Sequence, residues 1–181
     1  MKQLSLEALG RKSPEEFAKS PKLNVIIVCD NLRSAYNVGA LFRTADGFEM
    51  EHIHLCGITV CPPNNEIHKS ALGAEFTVPW TYWEKTVSCI RSLKEKGYLI
   101  LALEQTDSSL VLPKLPDFGE KPIAVVLGNE VKGVAADVLT SCDSAIEIPM
   151  RGTKHSLNVS VAAGIALWEL FKKRALTPGQ K

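Results

Sequence analysis

The chain has 181 residues, 45% of them hydrophobic and 23% charged, with a formal net charge of +1 at pH 7. That length suits one domain with a proper core, and the composition excludes the disordered, collagen-like and disulfide-scaffold classes. A charge so near zero argues neither for nor against a polyanionic partner, because only a local basic patch would tell.

The five cysteines (Cys29, Cys56, Cys61, Cys89 and Cys142) are odd in number and scattered, with no CxxC pair. They fit reduced thiols in a cytoplasmic setting and outline no zinc site. The N-terminus lacks an apolar signal core. The longest apolar stretch, Val159 to Phe171, is too short to span a bilayer and is broken by Ser160 and Glu169. The expectation is a soluble protein with no membrane partner.

In chain order, Ser13-Pro14-Glu15-Glu16 is a capping box with proline at the first helical position, so a short helix begins there. Leu23 to Cys29 is a continuous β-branched run, as in a strand covered on both faces. A helix follows, carrying Leu41, Ala45 and Phe48 at helical spacing, with Gly47 as its stop. His52 to Leu55 reads as a second strand. The two histidines share one face, but no third ligand lies near in sequence, so no metal is expected. Gly57 to Asn65 reads as a loop. Trp83, Val87, Ile90 and Lys94 form one helical stripe, broadened by Leu93 and ended by Gly97. Tyr98 to Leu103 is a strand, Pro113 and Pro116 punctuate a loop, and Ile123 to Leu127 is another apolar strand. Ala145 to Pro149 is a last short strand, before a helix from about Leu157 to Lys173. Its basic end, Lys172-Lys173-Arg174, reads as a solvated terminus complementing the helix dipole. Strands alternating with helices predict a single α/β domain with a mainly parallel sheet.

Ligand sites in such sheets lie beyond the carboxyl ends of the strands, and three polar clusters follow strands here. The first runs from Asn31 through Asn37-Val38-Gly39 to Arg43-Thr44-Ala45-Asp46. Asn37 and Arg43 lie nearly two helical turns apart. A structural alternative stands beside the functional one: Asn37 caps the helix and Arg43 pairs with Asp46. The second is Leu127-Gly128-Asn129-Glu130-Val131-Lys132-Gly133. Its glycine spacing is that of a P-loop, but Val134 and Ala135 stand where that loop needs Lys and Ser or Thr. No GxGxxG fingerprint occurs either. Glu130 would sit near a helix start, favoured by the dipole. The third runs from Ile148-Pro149-Met150 to Ser156-Leu157-Asn158, where Ser156 is a natural N-cap and Asn158 falls in the first turn.

These three clusters, in this order, resemble the SpoU (TrmH-like) family of RNA 2′-O-methyltransferases in the SPOUT superfamily. The first motif is similar to Asn37-Val38-Gly39 with Arg43-Thr44-Ala45, the second to Leu127-Gly128-Asn129-Glu130 with Gly133. The third is similar to Ile148-Pro149-Met150 with Ser156 through Ala162, and Lys69 to Glu75 resembles the connecting segment.

The resemblance implies a C-terminal trefoil knot, a homodimer with the active site near its interface, and S-adenosylmethionine as cofactor. It implies cofactor contacts from Leu103, Glu104, Leu127, Gly128, Ile148, Met150 and Leu157. Arg43 would activate or position the ribose, with Asn37, Glu130, Ser156 and Asn158 orienting it. The nearly all-round apolar final helix must be buried on most sides, either in such a dimer or in the core of a monomer.

The implied reaction is methylation of a ribose 2′-hydroxyl in structured RNA, transfer or ribosomal. The expected organisation is a short extension (1–22), a methyltransferase domain (23–174) and a tail (175–181). As a departure from some family members, no added RNA-binding domain is expected before the motifs. The rival reading is a catalytically inactive RNA-binding protein of the same fold. The presence of Asn37, Arg43, Glu130 and Asn158 together counts against it. A transferase acting on a base or small molecule is weaker still, because Asn37 with Arg43 argues for ribose chemistry.

Overall fold

The computed structural model describes residues 1–5, 8–10 and 12–176. Helix α1 (Pro14–Lys19) opens on the expected capping box: Glu16 N–H donates to Ser13 Oγ and the Ser13 N–H donates back to the Glu16 carboxylate at 2.7 Å. Seven strands follow: β1 (Leu23–Asp30), β2 (Met50–Cys56), β3 (Trp80–Trp83), β4 (Leu99–Leu103), β5 (Leu110–Val111), β6 (Ile123–Leu127) and β7 (Ser144–Glu147). They form one sheet in the order β3-β2-β1-β6-β4-β7-β5, and every pairing is parallel. The expected mainly parallel sheet is therefore entirely parallel.

Alternation along the strands splits the core into two layers. Val25, Ile27, Cys29, Val125 and Leu101 pack with helices α2 (Ala35–Gly47), α3 (Asn65–Ala71) and α6 (Val159–Ala175), and with Phe17 of α1. Ile26, Val28, Ile100 and Val126 face the other way, onto α4 (Thr86–Glu95) and α5 (Ala136–Ser141). Covering both faces explains why the central strands read as unbroken apolar runs.

Several elements differ from the sequence reading, β5 and α5 among them, which it did not anticipate. Trp83 is the last residue of β3, not the start of a helix, and α4 begins at Thr86. The aromatic stretch pairs with β2: Gly57 N–H donates to the Trp83 carbonyl at 2.9 Å, and Trp83 Nε1 donates to His54 Nδ1 at 3.0 Å. Residues after Asn64 form α3, capped by the Asn64 side chain, where only a loop was expected to end. Ser156 does not cap the last helix. Asn158 does, accepting from the N–H groups of Ser160 and Val161.

The last helix is also less enclosed than its composition suggests. Ala163, Ala166, Leu167 and Leu170 are buried, but Val161, Ile165 and Trp168 remain 52, 41 and 43% exposed. Its basic end is not simply solvated. Lys173 donates to the Leu115 carbonyl at 3.0 Å, Arg174 donates to the Asn24 carbonyl at 2.9 Å and to that of Lys121, and Lys172 pairs with Glu169 at 2.8 Å. These bonds tie the end of α6 to the amino-terminal edge of the sheet. No described helix is long and apolar enough to cross a membrane.

Candidate active site

The carboxyl ends of β4, β6 and β7 open onto a cavity of about 690 Å³. Leu103 and Glu104 line it after β4, Leu127 to Val134 after β6, Ile148 and Met150 after β7, and Ser156 to Val159 at the entry to α6. Its walls owe their shape to main chain. A Cβ on Gly128 would overlap the Gly133 backbone and the Val134 nitrogen, so glycine lets the 128–133 turn fold back on itself. Asn129 and Gly133 close that turn with paired backbone bonds of 3.0 and 2.9 Å. Glu104 Oε2 accepts from Val134 N–H at 3.0 Å, linking the β4 and β6 loops, while Gln105 Nε2 donates to the His155 carbonyl at 2.5 Å.

One connected set of polar side chains edges this cavity. Ser34 caps α2, leaving the Arg33 and Ser34 N–H groups at the helix entrance. Glu130 takes both, at 3.0 Å each, and also accepts from Asn37 Nδ2 at 3.0 Å. Partial burial alone would push the Glu130 carboxyl up. The donors from Arg33, Asn37 and Ser34 outweigh that and hold it below the usual carboxylate range, so it is ionised at neutral pH. Asn158 Nδ2 donates to Asn37 Oδ1 at 3.1 Å, while Asn158 Oδ1 caps α6. The buried Asn37 amide thus bridges the loop after β6 and the start of α6, and its orientation is fixed by having a donor on one side and an acceptor on the other.

The structural alternative for the first motif does not hold. Ser34, not Asn37, caps α2, and Asp46 accepts from Thr77 Oγ1 at 2.6 Å. The ion pairs among the described residues do not include Arg43, which is exposed on α2. The other motif residues separate by position. Glu130, Ser156 and Asn158 line the cavity, as do Leu103, Glu104, Leu127, Gly128, Ile148, Met150 and Leu157. Asn37 joins them by hydrogen bonds, and Arg43 stands apart from the cavity lining. Glu130 sits at the entrance of α2 rather than at the start of the helix that follows it.

Sequence reading missed a second organising carboxylate. Asp30, 1% exposed at the end of β1, accepts from Thr86 Oγ1 at 2.6 Å, Asn31 Nδ2 at 2.8 Å and Ala135 N–H at 3.1 Å. It pins the starts of α4 and α5 to the sheet beside the site. Its only signal in the sequence was an acid ending an apolar strand. His52 and His54 are engaged with Thr81 and Trp83, and no group of three or more metal-type ligands occurs among the described residues.

A cavity of this size at the carboxyl edge of a parallel sheet is wide enough for a ligand of nucleoside dimensions. The chain is accordingly an α/β protein with its candidate ligand space at the strands' carboxyl ends, walled by turns other than a GxGxxG loop. Residues 24–168 match the SpoU rRNA Methylase family, and the chain belongs to that family. It is 33% identical over 159 residues to the 23S rRNA (guanosine-2'-O-)-methyltransferase RlmB of Nitrosomonas europaea, covering 86% of this chain and 58% of that one. The A. aeolicus TrmH/SpoU tRNA modifying enzyme superposes with a TM-score of 0.79 at 27% identity, over 89% of this chain and 80% of that chain. The AdoMet-bound rRNA methyltransferase from Sinorhizobium meliloti does so with a TM-score of 0.78 at 26% identity, over 92 and 62%. The chain spans between 58 and 65% of the length of the curated relatives it matches.

Proposed function

We propose that this protein methylates a ribose 2′-hydroxyl in a structured RNA, transfer or ribosomal, with S-adenosylmethionine as cofactor. The observation that carries the reading is the bonded rim Glu130–Asn37–Asn158, set between a backbone-walled cavity and the helix that bears Arg43. The relatives support it, since the Nitrosomonas protein is named for guanosine 2′-O-methylation and the Sinorhizobium structure holds AdoMet.

The residues present fit the cofactor. The cavity volume suits a nucleoside with an amino-acid arm, and Gly128 keeps side-chain atoms out of its wall. Leu103, Leu127, Ile148, Met150 and Leu157 offer apolar contact and main-chain donors and acceptors, and the Glu104 carboxylate supplies negative charge beside them. The methyl group itself comes from the S-adenosylmethionine sulfonium. Asn158, at the cavity edge and held by Asn37, would orient the ribose toward the bound methyl donor, with Asn37 and Glu130 acting through it. Ser156 supplies a further hydroxyl at the cavity edge. The hydroxyl is a weak nucleophile until its proton leaves. Arg43 would position a neighbouring RNA phosphate, which takes up that proton, and stabilise the developing alkoxide.

The same reading makes residues 23–174 the catalytic unit, with 1–22 as an extension that lends Phe17 to its core. Of the 175–181 tail, residues 177–181 lie outside the described residues. The threading of the C-terminal segment into a trefoil knot, a homodimer and a cytoplasmic location belong to the proposal too. The exposed stripe Val161, Ile165 and Trp168 supports the dimer, because it is spaced i, i+4, i+7 on one face of α6.

Arg43→Ala tests the reaction. It should abolish methyl transfer while leaving S-adenosylmethionine affinity by calorimetry within about twofold, since only transition-state interactions are lost. Arg43→Lys should fail as well, because an ammonium lacks the planar fork. Nucleoside mass spectrometry of RNA from a strain lacking the gene supplies the substrate. Near wild-type turnover by Arg43→Ala on that RNA would refute the mechanism.

A further inference from the structure

Among the described residues, the most exposed aromatic is Phe76, at 77%, with Leu72 beside it in sequence space at 66%. Neither belongs to the cavity. Their exposure is built, not incidental. Leu72 closes α3 in the left-handed region at φ 54°, a conformation leucine adopts only against its own sterics, and Gly73 follows at φ 94°. The chain then makes a single 3₁₀ turn, Ala74–Phe76, that buries Ala74 and Glu75 and leaves Phe76 in water. The buried Glu75 carboxylate bonds His68 Nδ1 at 2.5 Å, and the His68 ring lies 5.9 Å from the Phe76 ring. A buried acid therefore holds a surface imidazole against a surface phenyl. Among the described residues, Glu75 Oε2 has no hydrogen-bond partner.

The position of this patch follows from α2. Gly39, Arg43 and Asp46 share one helical stripe at i, i+4 and i+7. A Cβ on Gly39 would overlap Ser70 Oγ and the Ile67 carbonyl, and Asp46 accepts from Thr77. Both ends of the stripe are thus packed on the segment that contains the patch, and Arg43 lies between them. Lys69, exposed in the last turn of α3, adds a second cation, offset in part by Glu66 one turn earlier.

We propose that the His68–Phe76 segment is a stacking platform for an unpaired nucleotide next to the one whose ribose is methylated, with Phe76 and Leu72 receiving the base and Arg43 and Lys69 flanking its phosphate. Exposed rings beside cations are how proteins hold single-stranded RNA, where every base offers a face to stack on. The proposal rests on the RNA methyltransferase reading, which already brings the substrate backbone to Arg43.

The test uses the full chain, a short fluorescein-labelled single-stranded RNA, and the RNA pool from a strain lacking the gene. Phe76→Ala should weaken binding of the labelled RNA by anisotropy roughly 5- to 100-fold, the range for loss of one stacked base. It should raise KM for the RNA pool, with S-adenosylmethionine affinity and the circular dichroism spectrum unchanged. Phe76→Trp should bind as wild type. Lys69→Gln should lower the salt slope of binding by about one. Wild-type RNA binding and KM in both Phe76→Ala and Leu72→Ala would overturn the platform while leaving the enzymatic reading intact. A changed sedimentation coefficient with unchanged RNA binding would also overturn it, marking a protein contact instead. Failure of the wild type to methylate any RNA in the pool would strike the enzymatic reading itself.

Discussion

At the scale of residues, the site depends on hydrogen bonds that have a sense. Asn158 donates to Asn37, and Asn37 donates to Glu130, which only accepts. Glu130→Gln preserves shape but points an amide NH₂ at a rim already supplied with donors, leaving one N–H of Arg33, Ser34 or Asn37 unmet. We expect kcat to fall on the order of 100-fold, with S-adenosylmethionine affinity changed far less, in single-turnover assays. His54 makes a different prediction. Burial, with help from His52 and Lys96, pushes its pKa down to about 4. An unfolded histidine titrates near 6.5, so below that pH the unfolded chain takes up a proton that the folded one refuses. Stability from this group is whole above about pH 6.5 and drains away as pH falls toward 4, by at most roughly 3 kcal/mol. His54→Gln keeps an acceptor for the Trp83 N–H. Its melting temperature should therefore drop less than the wild type's between pH 7 and pH 5.

At the scale of elements, the join between α2 and α3 is a tight constraint. Gly39→Ala places a methyl against Ser70 Oγ and the Ile67 carbonyl, and backbone cannot move aside as a flexible side chain does. Overpacking of this kind costs about 1–3 kcal/mol, which should lower the melting temperature by several degrees in calorimetry and, by shifting α2, reduce methylation. The sequence revealed these elements unevenly. β1, β4 and β6 were plain because strands covered on both faces have unbroken apolar runs. β3 was misread because Trp83, Val87 and Ile90 happen to fall at helical spacing, although only Val87 and Ile90 are helical. α3 was hidden because its seven residues carry too few periodic positions, and its Asn64 cap looked like part of a proline-rich loop. Ser156 and Asn158 both suit an N-cap, and local chemistry could not choose between them. The choice is made by Asn37, 121 residues away, which holds the Asn158 amide in place.

At the scale of the whole molecule, the exposed stripe of α6 predicts an assembly. Ile165→Glu should convert a dimer to a monomer in light scattering, and activity should fall with it. A wild type that is monodisperse as a monomer at micromolar concentration would count against this. Much of the site could be named from three motifs in order, yet its connections were not legible. Asp30 and Gln105 act through partners contributed by distant segments, and the packing of Gly39 against Ser70 and of Asp46 against Thr77 depends on how α3 lies along α2.

The grip of Glu130 on the entrance of α2 has a consequence for how the proposed cofactor and RNA would sense one another. The 128–133 turn forms part of the cavity wall, and the same turn holds the helix that carries Arg43. We expect binding that settles the turn to settle the helix as well, so that occupancy on one side would be felt on the other as free energy. Such linkage is reciprocal. If cofactor tightens RNA binding by some factor, RNA must tighten cofactor binding by the same factor. Titrations of each substrate with and without the other should return equal ratios above one, and Glu130→Ala should bring both ratios to one.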